Sequence, residues 1–195
     1  RDASTAYFGA GIIGNQVGFK NADAAGATLN AVYSSWTPVA GMHHFLLAVD
    51  LTTSTFLLYI DGVSQSVAAS PTWSNTDIIW ATTKFAVANV TSDGSSTNGW
   101  YDDIAQIWFD DQFLDISNST IRAKFYNAGS AVNLGYNGWR PTGSPPALFF
   151  NETTFLKNLA APAETWVAVA GRGSFGTTTH AISGTSAAAA IIDSS

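Results

Sequence analysis

The chain has two glutamates, Glu152 and Glu164, and both fall near predicted loops. Glycoside hydrolysis needs two carboxylates about 5 to 5.5 Å apart for retention, or roughly 6.5 to 9.5 Å apart for inversion. Asp102 and Asp103 are adjacent, so on a strand they point to opposite faces. No carboxylate pair therefore stands out. Gly9-Ala10-Gly11-Ile12-Ile13-Gly14 and Gly171-Arg172-Gly173-Ser174-Phe175-Gly176 both fit G-x-G-x-x-G. Dinucleotide binding needs that motif between a strand and a helix of a βαβ unit. The first has no room for a preceding strand. The second follows a candidate strand, Thr165 to Ala170, but no further strand is read after it. Both are read as turn glycines. His180 ahead of Gly184-Thr185-Ser186-Ala187-Ala188 has the residue types of a His/Ser nucleophile pair. Such catalysis also needs an orienting Asp and, at this motif, a His-Gly-Thr segment in a parallel α/β fold, and no such segment or pattern is present. His43 and His44 alternate sides on a strand and cannot easily share one metal ion; one ring is expected to pack and the other to be exposed. The chain has no Cys, which excludes disulfides, thiolate metal sites and Cys nucleophiles. An enzyme is not expected.

Aromatic residues are the remaining chemistry. Trp73, Trp80, Trp100, Tyr101, Tyr136 and Trp139 lie in or near predicted loops. A flat ring can stack on the apolar face of a pyranose. Aromatic side chains are equally suited to anchoring cores and subunit interfaces. Both roles stay open for these six.

The elements that must position these groups are strands. His44 to Asp50 and Thr55 to Ile60 are two apolar runs joined by Leu51-Thr52-Thr53-Ser54. Asp61-Gly62 is a type I′ hairpin signal, and Val63 to Val67 pairs back after it. In Phe56-Leu57-Leu58-Tyr59-Ile60 both alternating faces are apolar, which predicts a strand covered on both sides. Ile12 to Phe19, Thr28 to Tyr33, Asp77 to Trp80, Phe85 to Ala88, Asp103 to Phe109, Ala147 to Phe150 and Thr165 to Ala170 are further strands. The loops between them are rich in Gly, Ser, Asn and Thr. One short helix is expected near 119–127, with Ser117 or Asn118 as N-cap and Gly129 as its stop. The spacing of short strands and turns predicts an all-β sandwich. Residues 1–176 read as that domain. Residues 177–195, rich in Ala, Ser and Thr, read as a C-terminal extension or partner-contacting arm.

Eight Lys and Arg are spread singly through a chain of net charge -6, which argues against nucleic acid as a partner. No apolar run reaches the roughly 18 to 20 residues of a membrane helix, so membrane insertion is not expected. Only 11% of residues are charged, against about 25% in typical domains. Either Ser, Thr, Asn and Gly keep the surface wet or partners cover it, and the second reading is favoured.

His43-His44-Phe45 followed by Phe56-Leu57-Leu58-Tyr59-Ile60-Asp61-Gly62-Val63 resembles the "W-H-H-V … L-Y-V-D-G" core of laminin-G-like and concanavalin A-like lectin/glucanase domains. Met42 stands where that pattern has Trp. Asp103 to Phe109 is similar to the late core strand of the same domains. A narrower resemblance covers residues 101–150: Phe113-Leu114-Asp115-Ile116-Ser117, Arg122-Ala123-Lys124-Phe125, Val132-Asn133-Leu134-Gly135 and Pro141-Thr142-Gly143-Ser144-Pro145-Pro146. It looks like the concanavalin A-like domain of tailed-phage and prophage structural proteins, with its "F-x-D-L-S … R-R-K-F … P-V-D-L-G … P-T-G-x-x-P" order.

The resemblance implies a two-sheet antiparallel jelly roll. It implies a virion protein on the phage particle surface, as a head-decoration, head-fibre or tail-fibre component. Other virion proteins and a homo-oligomer are the expected partners. The alternative is a lectin-like module that recognises host surface glycan. The hydrolases of this fold place E-x-D-x-x-E on one strand, and no such motif occurs here. No cofactor is implied beyond calcium, which many laminin-G-like domains hold; Asp93, Asp102 and Asp103 are the candidate ligands, since hard oxygen donors suit that ion. Such jelly rolls carry a strand or two before the segment matching Ile12 to Phe19. The expectation is that those strands are missing or that a neighbour supplies the edge.

Overall fold

The computed structural model describes residues 7–13, 16–22, 27–37, 39–68, 70–74, 85–87, 103–151, 175–178 and 186–194. The described residues are all-β with one four-residue helix. In chain order the elements are β1 (Tyr7–Ile13), β2 (Gln16–Ala22), β3 (Thr28–Tyr33), β4 (His44–Asp50), β5 (Thr55–Ile60), β6 (Val63–Ser64), β7 (Phe85–Val87) and β8 (Asp103–Asp110). Then come α1 (Ser119–Arg122), β9 (Tyr126–Asn127), β10 (Ser130–Ala131), β11 (Leu148–Asn151), β12 (Phe175–Thr178) and β13 (Ser186–Ser194). They form a three-stranded sheet β1-β2-β3, a six-stranded sheet β11-β8-β13-β4-β5-β6, and two small pairs, β10-β9 and β12-β7. Every strand pair among the described residues is antiparallel.

The period of two in β4 and β5 decides which residue meets which layer. Phe45, Leu47, Val49, Phe56, Leu58 and Ile60 share one core with Val17, Phe19 and Val32 of the three-stranded sheet. Leu46 and Ala48 turn to the other face, where Ile116, Phe125 and Leu134 cover them. At β4 and β5 the six-stranded sheet is thus covered on both faces: by the three-stranded sheet on one side, and on the other by the segment that follows β8. This is why Phe56 to Ile60 is apolar throughout, as its pattern predicts. Asp61 at φ 51° and Gly62 at φ 77° make the expected type I′ turn. After β6 the chain changes sheets. Gln65 N–H donates to the Leu58 carbonyl, and the next residues turn to β3 through the Ser34–Val67 and Ala31–Thr72 bridges.

Four expectations change. Val63 to Val67 pairs back on β5 only at Val63–Ser64, and Val67 bridges Ser34 instead. Ile12 to Phe19 is two strands: β1 ends at Ile13 and β2 begins at Gln16, with Ile13 opposite Gln16. Helix α1 ends at Arg122 rather than near 127. Asn118 caps it, its side-chain oxygen accepting from Thr120 N–H at 2.9 Å. The turn then tightens as Phe125 N–H donates to the Arg122 carbonyl. Phe125 is pulled to 1% exposure, and the chain reverses through Ala128 (φ 51°) and Gly129 (φ 81°) into the β9–β10 hairpin. Gly129 therefore serves a hairpin and not a helix end. The range 177–195, read as an extension, contains β13, which pairs with β4 on one side and β8 on the other. Asp77 to Trp80 and Thr165 to Ala170 lie outside the described residues. No helix among the described residues is long and apolar enough to cross a membrane.

Candidate functional site

The turn from Asn133 to Gly143 projects aromatic side chains from a fixed base. Its base is the core on the outer face of the six-stranded sheet. Leu134 is buried there beside Trp108. Trp108 donates its indole N–H to the Gly138 carbonyl at 2.9 Å. A side chain at Gly138 would collide with the Phe149 ring at 2.8 Å, so the backbone lies directly on the core. Gly135 and Gly138 hold φ of 90° and 78°, the left-handed region that glycine enters without strain. Asn133 Oδ1 accepts from Gly135 N–H at 2.9 Å and from Arg140 Nη1 at 3.2 Å. Gly143 N–H donates to the Trp139 carbonyl, and Lys124 Nζ to the Pro141 carbonyl at 2.7 Å.

From this base Tyr136 stands 80% exposed and Trp139 41% exposed. The Trp139 indole lies against the Gly135 backbone, where an added Cβ would sit 2.8 Å from its Nε1. Exposed aromatic surface beside a guanidinium can stack on a flat apolar ring and donate to oxygen acceptors. Sugars and the apolar anchors of another protein both fit that description.

A second constellation sits at the β5–β6 turn. The Asp61 carboxylate meets His43 Nδ1 at 2.7 Å through Oδ2 and accepts the His44 N–H at 2.8 Å through Oδ1. His43 Nε2 faces the Val39 carbonyl at 3.2 Å. His44 is buried, its ring 4.9 Å from that of Tyr126, and its Nδ1 has no hydrogen-bond partner among the described residues. Burial pulls its pKa down to about 4, with Asp61 pulling the other way. His43 and His44 thus take opposite sides, and His43 is held by Asp61 rather than fully exposed. Nearby, an open groove of about 590 Å³ is lined by Gly62, Arg122 and Tyr126. Arg122 is already engaged: its guanidinium lies 4.3 Å over the Tyr59 ring and donates to the Ile116 and Ser117 carbonyls.

Of the aromatics named from the sequence, Tyr136 and Trp139 come together on one turn. Trp73 packs against the main core. Trp80, Trp100 and Tyr101 lie outside the described residues, as do Asp93 and Asp102. Asp103 opens β8 opposite Ser194. No group of three or more His, Asp or Glu side chains gathers among the described residues. Two groups were not singled out. Asp61 was visible only as a turn residue, although a carboxylate in a turn beside His-His is a recognisable signal. Asp110 has no such signal; burial, with Asp111 beside it, pushes its carboxyl up to about 6. No protein-family model, curated protein or solved structure matches this chain.

Proposed function

We propose that this protein is a non-enzymatic structural component of a bacteriophage virion. It is displayed on the particle surface as a head-decoration, head-fibre or tail-fibre protein, and its body is a concanavalin A-like jelly roll. The observation that carries this reading is where the phage-type signature falls. Phe113, Leu114, Ile116, Phe125 and Leu134 come from its successive motifs. All of them pack as one layer on the outer face of the six-stranded sheet. That the apolar residues of these motifs share one cluster supports the reading. Strands covered on both faces, as β4 and β5 are, suit a rigid body, and a chain low in charge suits a protein covered by neighbours. Immunogold labelling of purified particles with antibody to this chain tests the reading. Label on heads or fibres is expected; protein that fractionates entirely away from particles refutes it.

A second reading is supported by the exposed pair Tyr136 and Trp139. On it, the turn binds host surface glycan. A glycan array probed with the purified chain and with Trp139→Ala separates the two. Binding lost in a variant that keeps its fold supports the lectin-like role. The same array silent for the unaltered chain removes it.

A further inference from the structure

The groove beside the β5–β6 turn has a charge pattern unlike the rest of the chain. Its lining residues are all described, and none is Asp or Glu, although the chain carries 14 acids against 8 Lys and Arg. Asp61 precedes the lining Gly62, but its carboxylate is turned to His43 and the His44 N–H. At about 590 Å³ the groove falls within the roughly 300 to 1,000 Å³ of small-molecule sites.

Two of its side chains are fixed from beneath. The Tyr126 ring lies on Gly62, where an added Cβ would sit 3.0 Å from its Cδ1. It also stacks on the buried His44 ring at 4.9 Å. The Arg122 guanidinium sits 4.3 Å over the Tyr59 ring, and its Nη1 donates to the Ile116 and Ser117 carbonyls. Its Nε and Nη2 have no partner among the described residues. A guanidinium is always charged, and its planar donors match a carboxylate. Thr120 and Asn127 add a hydroxyl and an amide to the lining. Ala128, which also lines the groove, holds φ 51° in the β9–β10 turn. Asn, Asp or Gly is usual in that conformation, and Asn or Asp would bring a longer polar side chain to the groove.

We infer that this groove binds an acidic sugar, a pyranose bearing one carboxylate. The carboxylate meets Arg122, the apolar face of the ring meets Tyr126, and the hydroxyls meet Thr120 and Asn127. One cation among neutral partners matches the single charge of a carboxylate; a phosphate dianion would be left partly uncompensated. The groove shares no residue with the Tyr136–Trp139 turn. The inference needs neither the virion reading nor glycan binding at that turn.

The test follows amide resonances of the full isotope-labelled chain during titration with galacturonate, and with galactose as the neutral counterpart. Galacturonate is expected to shift Tyr126 and Asn127 with a dissociation constant of about 1 mM, and galactose to bind ~tenfold more weakly or not at all. Ala123 is exposed and lines the groove. Ala123→Glu brings a carboxylate there and is expected to weaken galacturonate binding ~tenfold or more. Trp139→Ala is expected to leave it unchanged. If Ala123→Glu loses its fold by circular dichroism, Thr120→Glu takes its place. No shift with galacturonate overturns the inference, as does equal binding of the two sugars. Acetate binding as well as galacturonate shows a simple anion site and overturns the sugar. Binding lost in Trp139→Ala but kept in Ala123→Glu puts the sugar on the other turn and refutes this groove. Particle labelling is independent of all these results, so failure here is not failure of the virion reading.

Discussion

Replacing His44 by Phe converts its burial into a measurable pH effect. His44 is 4% exposed and its pKa falls from 6.5 to about 4. The folded state keeps the ring neutral where the unfolded chain protonates it. The unfolded state therefore binds more protons between pH 6.5 and 4, and stability is lost as pH falls through that window. At pH 5 the deficit is about 2 kcal/mol, from roughly 1.4 kcal/mol per pH unit. At pH 7.5 both states are neutral and the deficit vanishes. His44→Phe keeps a ring to stack on Tyr126 and removes a buried nitrogen that has no partner among the described residues. The variant is expected to gain about 2 kcal/mol on the unaltered chain between pH 7.5 and 5. Urea denaturation followed by tryptophan fluorescence at the two pH values reads this difference. Parallel stability curves for the two proteins refute the reasoning, and so does a His44 C2–H resonance that titrates near 6.5.

Asp110 carries the opposite sign. Its carboxyl is raised from 3.8 to about 6, so the folded state holds a proton that the unfolded chain has lost, and stability falls as pH rises from about 4 to 6. Asp110→Asn retains an acceptor for Asp111 N–H and is expected to be more stable than the unaltered chain at pH 7 but not at pH 3.5, by the same urea assay. Asp61→Ala leaves His43 and the His44 N–H without their carboxylate and is expected to cost about 2 kcal/mol. Asp61→Asn keeps one acceptor and a residue that tolerates positive φ, and is expected to cost about half as much in thermal denaturation. Gly138→Ala would combine φ 78° with a 2.8 Å collision against Phe149. It is expected to cost about 3 kcal/mol by calorimetry, with Gly143→Ala, where nothing lies within 4 Å, distinctly milder.

The candidate site was half legible. Tyr136 and Trp139 could be named because Gly-rich flanks place aromatics in loops. Trp73, flanked by Ser70-Pro71-Thr72 and Ser74-Asn75, also carries a loop signal, yet it packs on the core. Exposure depends on which layer arrives above a residue, and local sequence does not carry that. The proton-binding behaviour of His44 and Asp110 is equally non-local, because burial is the main cause of both shifts.

β3, β4, β5 and the turn after β5 follow from their own residues. Their ends coincide with the expected ones, because period-two alternation, apolar runs and Asp-Gly act within a few residues of themselves. The apolar run of β5 likewise signals its cover on both sides. The place of β13 depends on packing far along the chain. Ala187-Ala188-Ala189-Ala190 has no alternation and favours helix over strand. Its backbone nevertheless runs between β4 and β8. Ladder hydrogen bonds on both sides outweigh a local preference worth at most about 1 kcal/mol per residue. The same holds at residues 123–127, where burial of Phe125 and the β9–β10 hairpin end a helix that the local pattern would have continued.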